Sequence, residues 1–292
     1  MKINSPQFNL MHKACMKASK ILIRDFGEIE KLQVSEKSPG DFVTASDKRV
    51  EKVLMKELEK SEYSFLTEES GSIDGKYKDK KWIIDPIDGT FNFLNGLPHF
   101  AISLAYEENG EIISGIIYDP IKNEMFGAHK GSGAYLNNTR MRVSNKSEFR
   151  NSCLVTGGPK STSKIKETIL DEYKKVSLKT NSHIRKSGSA ALDLAYVAAG
   201  RYDGYCQNNL NLWYIAAGLI INRVISSFDV LNIMKKHGMA LERALDYIKF
   251  RRYCINPSIR FIEDLKSITK IQENLKIWRL YGLCNRIYIR VS

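Results

Sequence analysis

The segment Trp82-Ile83-Ile84-Asp85-Pro86-Ile87-Asp88-Gly89-Thr90-Phe91-Asn92-Phe93 constrains this chain more than any other. The short run from Lys81 to Ile84 predicts a buried strand whose carboxyl end opens into a loop at Asp85-Pro86. Two carboxylates three residues apart leave that strand in a loop that Pro86 stiffens and Gly89 lets turn tightly. Thr90 and the N–H groups behind it can open a short helix. A helix N-terminus suits phosphate, because its unpaired N–H groups and positive dipole end face the anion. Carboxylates beside a phosphate site repel the ligand unless a divalent cation lies between them, and Mg²⁺ prefers hard oxygen ligands of this sort. An Asx-rich turn without any ion fits Asp-Pro-x-Asp-Gly equally well when these residues are taken alone.

Two further segments bear on that choice. Glu68 and Glu69 directly follow Leu66-Thr67, which read as the end of a strand, and at least one can join the same cluster. Asp47 falls in the first turn of a helix expected to start near Ser46; the plain reading of such an acid is that it complements the helix dipole.

The rest of the chain supplies a scaffold. Met11, Ala14, Cys15, Ala18, Ile21 and Leu22 share one helical face, with Gly27 as a stop. Val50, Val53, Leu54 and Leu58 form the inward face of the second helix, and residues 40–44 read as a turn leading into it. The runs 101–106 and 112–118 flank Asn109-Gly110, a dipeptide favoured in hairpin turns. Gly131-Ser132-Gly133 predicts a turn before a strand at 134–136. From about residue 151 the pattern alternates: strand 153–156, helix 163–174, strand near His183, helix 189–199, strand 202–206 and a helix from Trp213. The expected architecture is α+β over 1–145 joined to α/β over 146–221, followed by a basic segment at 222–292.

These segments together resemble the inositol monophosphatase family of magnesium-dependent sugar phosphatases. The matching pieces are Asp41–Asp47, Glu68-Glu69-Ser70, Trp82–Phe93, Gly188–Asp193 and Ala199–Gly204, in family order from about residue 8 to residue 221. The resemblance implies the layered αβαβα sandwich of the inositol monophosphatase and fructose-bisphosphatase type, with 1–145 as an α+β metal-binding domain, 146–221 as an α/β substrate-side domain truncated relative to the family, and 222–292 as a divergent segment. It also implies that Glu68, Asp85 and the carbonyl of Ile87 hold a first Mg²⁺, that Asp85 and Asp88 hold a second, and that Asp47 touches a weaker third through water. Glu68 and Thr90 then position and help deprotonate the attacking water, while Gly89 and Thr90 N–H groups cradle the phosphate. Arg185, Gly188, Ser189 and Ala190 match the stretch that contacts the sugar. Gln207 stands where many members carry a substrate-binding glutamate. The implied reaction is hydrolysis of a polyol phosphate, myo-inositol monophosphate first, by a homodimer; a nucleotide 3′-phosphate or fructose bisphosphate keeps the mechanism with another substrate.

The pattern breaks in two places. The family's Trp-Asp metal-ligand pair reads Trp213-Tyr214 here, and a neutral phenol cannot replace a hard anionic ligand at equal strength. Beyond Ile221 the family's glycine-rich continuation is replaced by basic and apolar sequence. Of the formal charge of +12, residues 1–221 carry +4 and residues 222–292 carry +8. A frameshift in a decaying gene predicts such a break. A reading of another class makes the chain a catalytically weakened member that binds RNA or protein, with basic residues beside Tyr253, Trp278 and Tyr288 contacting phosphate and bases; the plain alternative places those aromatics in a core.

Composition excludes several classes. A hydrophobic content of 43% is enough for a sizeable core, so the chain is not wholly disordered. Five dispersed cysteines without a Cys-x-x-Cys pair argue for a reducing, cytoplasmic setting and against a disulfide framework. No apolar run is long enough to span a membrane, and the start lacks a secretory h-region. Gly-x-Ser-x-Gly, His-Glu-x-x-His and Walker-type motifs are all missing from the sequence.

Overall fold

In the computed structural model the described residues are 3–28, 34–38, 41–144, 151–157, 182–205, 207 and 210–223, with scattered helical positions between 167 and 178. Helix α1 (Pro6–Phe26) starts at the cap of Ser5, whose side chain accepts from the N–H of Phe8. Strands β1 (Val34–Ser38) and β2 (Asp41–Thr44) pair antiparallel. Helix α2 (Ala45–Leu58) follows at once.

A mixed eight-stranded sheet is then built from β3 (Tyr63–Thr67), β4 (Gly71–Ile73), β5 (Tyr77–Asp88), β6 (Ala101–Glu108), β7 (Glu111–Asp119), β8 (Glu124–His129), β9 (Gly133–Leu136) and β10 (Thr139–Arg140). Its order is β10-β9-β8-β7-β6-β5-β3-β4, and only the β3–β5 pairing is parallel. The short helix α3 (Thr90–Leu94) leaves the end of β5. Beyond it, β11 (Cys153–Val155), β12 (His183–Arg185) and β13 (Gly204–Tyr205) make a small parallel sheet of order β12-β11-β13. Helix α4 (Ala190–Ala198) and the helix at 212–223, α5, complete the described elements.

Period-two alternation in the central sheet decides the layering. Trp82, Ile84, Ile102, Leu104, Tyr106 and Ile116 face α1 and α2, packing on Met11, Leu22, Val50 and Leu54. Their neighbours Ile83, Ala101, Ala105, Ile117 and Phe126 face the other way, onto Leu192 and Ala195 of α4 and Ala217 and Ile220 of α5. The opposite faces of α4 and α5 bury Leu194, Val197 and Ile215 with Val155 and Tyr205 of the small sheet. Outside that sheet, the hydroxyl of Thr156 donates to Tyr173 at 2.8 Å. The layers therefore run helix, sheet, helix, sheet, helix. Gly115 of β7 lets α5 lie close: a Cβ there would stand 2.6 Å from a methyl carbon of Ile220 and 2.8 Å from Cα of Ala217. That approach fixes where the amino end of α5, and with it Tyr214, meets the sheet.

Three boundaries depart from expectation. The cap of α2 is Thr44, not Ser46: its hydroxyl accepts from the N–H groups of Ser46 (3.0 Å) and Asp47 (3.3 Å), and Asp47 Oδ2 accepts from the Thr44 N–H at 2.7 Å. This reciprocal pairing is a capping box. The Ser46 hydroxyl is used elsewhere, donating to Asp25 of α1 at 2.7 Å. Residues 41–44, expected as a turn, are β2, because β1 offers them a partner. Strand β5 extends from Tyr77 to Asp88 rather than from Lys81 to Ile84, since β3 and β6 pair along both of its edges. Its first half is polar and exposed, so it carried no apolar signal. The expected hairpin is present, with Asn109 and Gly110 both at positive φ as its turn requires. Most of the helix expected at 163–174, and everything beyond 223, lies outside the described residues. Among the described residues no helix is long and apolar enough to cross a membrane.

Candidate active site

Six elements bring their ends together at one edge of the central sheet. Strand β5 supplies Asp85 and Asp88, the residue after β3 is Glu68, and the first turn of α2 carries Asp47. Gly89 and Thr90 open α3, Ser189 caps α4, and Tyr214 sits in the first turn of α5. Gly89 has φ +100°, and a Cβ would lie 3.0 Å from the His99 carbonyl oxygen and 3.3 Å from that of Gly188. Both the backbone geometry and the crowding call for glycine there.

Asp85 is fully buried, and its Oδ1 accepts the Ile87 N–H at 3.0 Å. The Asx turn is therefore real, but it uses only one carboxylate oxygen. Oδ2 has no hydrogen-bond partner among the described residues. Burial pushes this carboxyl well above the usual range; the charges of Glu68 and Asp88, and the close side chain of Glu68, with which it can share a proton, raise it further. A buried, half-satisfied carboxylate among like charges is costly without a cation.

Its neighbours are better held. Burial raises Asp88 to about 6, against hydrogen bonds that favour the charged form. Its Oδ2 accepts from the Ser189 hydroxyl at 2.5 Å and from the Ala191 N–H at 2.7 Å. Asp47 is likewise raised to about 6 by burial, opposed by Thr44. The Thr90 hydroxyl faces the Ile87 carbonyl at 2.9 Å and Asp47 Oδ1 at 3.3 Å, linking α3 to α2. Tyr214 donates to Glu68 Oε1 at 2.8 Å. Burial, with Glu68 and Asp85 nearby, holds its phenol above the ordinary tyrosine value, so it stays neutral.

Among the described residues, no three His, Cys, Asp or Glu side chains close around one point. Mg²⁺ does not require that: it commonly takes one or two carboxylates and keeps several waters. Asp85 with its free oxygen, Glu68 and the Ile87 carbonyl fit one such ion. On the Asp88 side, α4 already engages the carboxylate and a phenol stands at 214, so that side fits a second ion poorly.

Of the sugar-side residues, Ser189 and Ala190 lie beside Asp88. Arg185 is exposed at the end of β12. Gln207 accepts from the Tyr205 hydroxyl at 2.8 Å and lies against Gly157. One supporting residue escaped the sequence reading. Glu51 of α2, 2% exposed, accepts from the Glu69 N–H at 3.0 Å and the Ser70 hydroxyl at 2.5 Å, fixing the segment that follows Glu68. The signal was a charged residue inside the apolar stripe of Val50 and Leu54. Glu51→Ala removes two hydrogen bonds to a buried acid and should cost about 1–3 kcal/mol; urea denaturation with and without the substitution measures it.

A layered αβαβα sandwich with an acidic cluster and a glycine turn at one sheet edge defines the sugar-phosphatase class. The chain belongs to the inositol monophosphatase family, whose sequence profile matches residues 4–223. It is 43% identical over 226 residues to an inositol-1-monophosphatase of Mesorhizobium japonicum, covering 77% of this chain and 85% of that protein. The crystal structure of the extragenic suppressor protein suhB from Bartonella henselae superposes with a TM-score of 0.73 at 44% identity, over 76% of this chain and 86% of that one. The Nus factor SuhB of Haemophilus influenzae is 36% identical over 261 residues, covering 87% of this chain and 97% of that protein. That last pairing reaches past residue 223, at the lowest identity of the three.

Proposed function

We propose that this chain hydrolyses a phosphate monoester of a small polyol, myo-inositol monophosphate before others, with Mg²⁺ as cofactor. The observation that carries the reading is Asp85, buried with one oxygen free, beside Glu68 and Asp88 at the mouth of the Gly89 turn. Glu68, Asp85 and the Ile87 carbonyl would hold the ion. When bound, it supplies positive charge for the phosphate and makes a water more acidic. Glu68 and the Thr90 hydroxyl orient that water, and Thr90 Oγ1 can pass a proton toward Asp47 Oδ1, 3.3 Å away. The Gly89 and Thr90 N–H groups at the start of α3 receive the phosphate oxygens. Gly188, Ser189, Ala190, Arg185 and Gln207 border the alcohol side. Inositol binding loses an anionic partner at Gln207, which weakens polyol recognition.

Release of inorganic phosphate from myo-inositol 1-phosphate under titrated Mg²⁺ tests this, beside a nucleoside 3′-phosphate and fructose 1,6-bisphosphate. Saturable, Mg²⁺-dependent release with inositol phosphate preferred is expected; equal or greater turnover of another ester moves the substrate assignment, and no turnover of any ester removes the enzymatic reading. A second reading has one observation behind it: the Tyr214 hydroxyl on Glu68 engages an oxygen that the ion needs. Together with relatives named Nus factor SuhB, it favours a weakened member that works by binding RNA or protein. A gel shift with RNA that fades as salt rises supports it, because phosphate contacts release counterions. We also propose that the protein works in the cytoplasm, from its dispersed cysteines without a Cys-x-x-Cys pair, and as a homodimer, from its likeness to the family.

A further inference from the structure

Behind the acidic cluster lies a second set of buried polar groups that the chemistry above leaves unused. Asn92 of α3, 5% exposed, donates from Nδ2 to two carbonyls at 2.8 Å, those of His99 and Ser187. The Ser187 hydroxyl donates to Asp193 Oδ1. Asp193 lies on α4, 1% exposed, with its N–H donating to the Ser189 carbonyl at 3.0 Å. Its carboxyl thus reaches back beneath the turn that caps its own helix. His99 Nε2 stands 4.0 Å from Asp193 Oδ1. Neither that nitrogen nor Asp193 Oδ2 has a hydrogen-bond partner among the described residues.

The arrangement joins two turns. One is the Gly89 turn, packed on the carbonyls of His99 and Gly188; the other is residues 187–189, whose Ser189 hydroxyl holds Asp88. Asn92 binds the His99 carbonyl, on which the Gly89 turn packs, and the Ser187 carbonyl of the second turn, and Asp193 anchors that second turn from below. We propose that Asn92, Ser187 and Asp193 form a latch that presses the Gly188–Ser189 turn against Gly89 and Asp88, and that Asn92 and Asp193 are positioning residues for the alcohol side of the ester. The proposal rests on the phosphatase reading and deepens it by naming what fixes that side of the site. Opening the latch frees 187–189 while β5 and α3 still hold Asp85 and Thr90. The alcohol end should suffer and the phosphate end should not.

The chemistry of the buried pair agrees. Burial raises the Asp193 carboxyl to about 8 and lowers His99 to about 4. At neutral pH a carboxylic acid therefore meets a neutral imidazole. A carboxamide can do the same work, because its oxygen accepts from the Ser187 hydroxyl as Asp193 Oδ1 does and it too is uncharged beside the neutral imidazole. Asp193→Asn should keep the latch and Asp193→Ala should break it.

The test compares the full chain with Asp193→Ala, Asp193→Asn, Ser187→Ala and Asn92→Ala, each checked for cooperative melting. With Mg²⁺ present, the three alanine variants should raise KM for myo-inositol 1-phosphate about tenfold while kcat stays within about threefold. On p-nitrophenyl phosphate, which lacks a polyol, kcat/KM should hold, and Asp193→Asn should track the natural chain on both esters. Amide hydrogen exchange at 188–191 should quicken about tenfold or more in the alanine variants and not in Asp193→Asn. Unchanged exchange, equal losses on both esters, or Asp193→Asn as damaging as Asp193→Ala would overturn the latch. A natural chain inactive on both esters removes the phosphatase reading and the alcohol-side role with it, while the exchange rates, which need no turnover, still decide whether the latch exists.

Discussion

Asparagine at position 85 is expected to reduce phosphate release by roughly 10³-fold or more and yet raise the melting temperature of the chain without Mg²⁺. The two effects share one cause. Asp85 is fully buried, only its Oδ1 is engaged, and Glu68, Asp88 and Asp47 add like charge around it. The ionised form is unfavourable until a cation arrives, so the residue trades stability for chemistry. Asparagine keeps the oxygen that accepts from Ile87 and removes the charge, which should stabilise the cation-free fold by about 1–3 kcal/mol at pH 8. The sign follows from proton linkage. A carboxyl raised in the folded state keeps its proton longer than in the unfolded chain, so its contribution is present below the unfolded value near 4 and is lost as pH rises. Asp47 and Asp88, both raised to about 6, add to the decline between about 4 and 6. The advantage of Asp85→Asn should therefore be small at pH 4 and grow toward pH 8, as thermal melts across that range will show. Equal melting curves at every pH would mean that the carboxyl is not strained.

Tyr214→Asp carries the second large effect, with the opposite sense. The phenol donates to Glu68 and stays neutral, so one cluster oxygen is turned toward a proton rather than a cation. An aspartate there restores an anion and frees Glu68. Activity at limiting Mg²⁺ should rise by about ten- to a hundredfold, which is the scale of a charge-assisted contact of roughly 1.5–3 kcal/mol. The same substitution removes a ring in contact with Trp213 and adds a fifth carboxylate to Asp47, Glu68, Asp85 and Asp88, so the cation-free protein should melt lower. Mg²⁺ should then raise its melting temperature more than it raises that of the natural chain. Activity measured across a Mg²⁺ series, with melts at both ends, checks each part; an unchanged Mg²⁺ dependence would show that position 214 plays no part in ion binding.

The site was more legible in the sequence than the scaffold around it. Asp85 and Asp88 were visible because proline and glycine punctuate the loop that carries them. Glu68 stood out because two acids follow a strand directly. The long register of β5 was not visible, since Tyr77 to Lys80 are polar and are strand only because β3 and β6 flank them. The cap at Thr44 was misplaced by two residues because Ser46 and Thr44 are both good caps. What separated them was Asp25 on α1, which claims the Ser46 hydroxyl, a contact 21 residues away in sequence. Glu51 and Asn92 act through groups on segments far along the chain, Glu69 and Ser70 for one and Ser187 for the other, so only a charge inside an apolar stripe hinted at Glu51 and nothing local at Asn92. Asp193 binds Ser187 just six residues back, and its only local sign is an acid in an otherwise apolar helix. The uneven charge, +8 of +12 beyond Ile221, falls almost wholly outside the described residues. It marks where the chain departs from the family pattern.

The central claim is that Asp85 and its neighbours are a seat for a hard divalent cation. Titration of Mn²⁺ into the natural chain and into Asp85→Asn, with the free ion counted by electron paramagnetic resonance, tests it without any turnover. Saturable binding by the natural chain, displaced by Mg²⁺ and lost in Asp85→Asn, is the predicted result. Equal binding by both proteins, or none by either while both are folded, would contradict it.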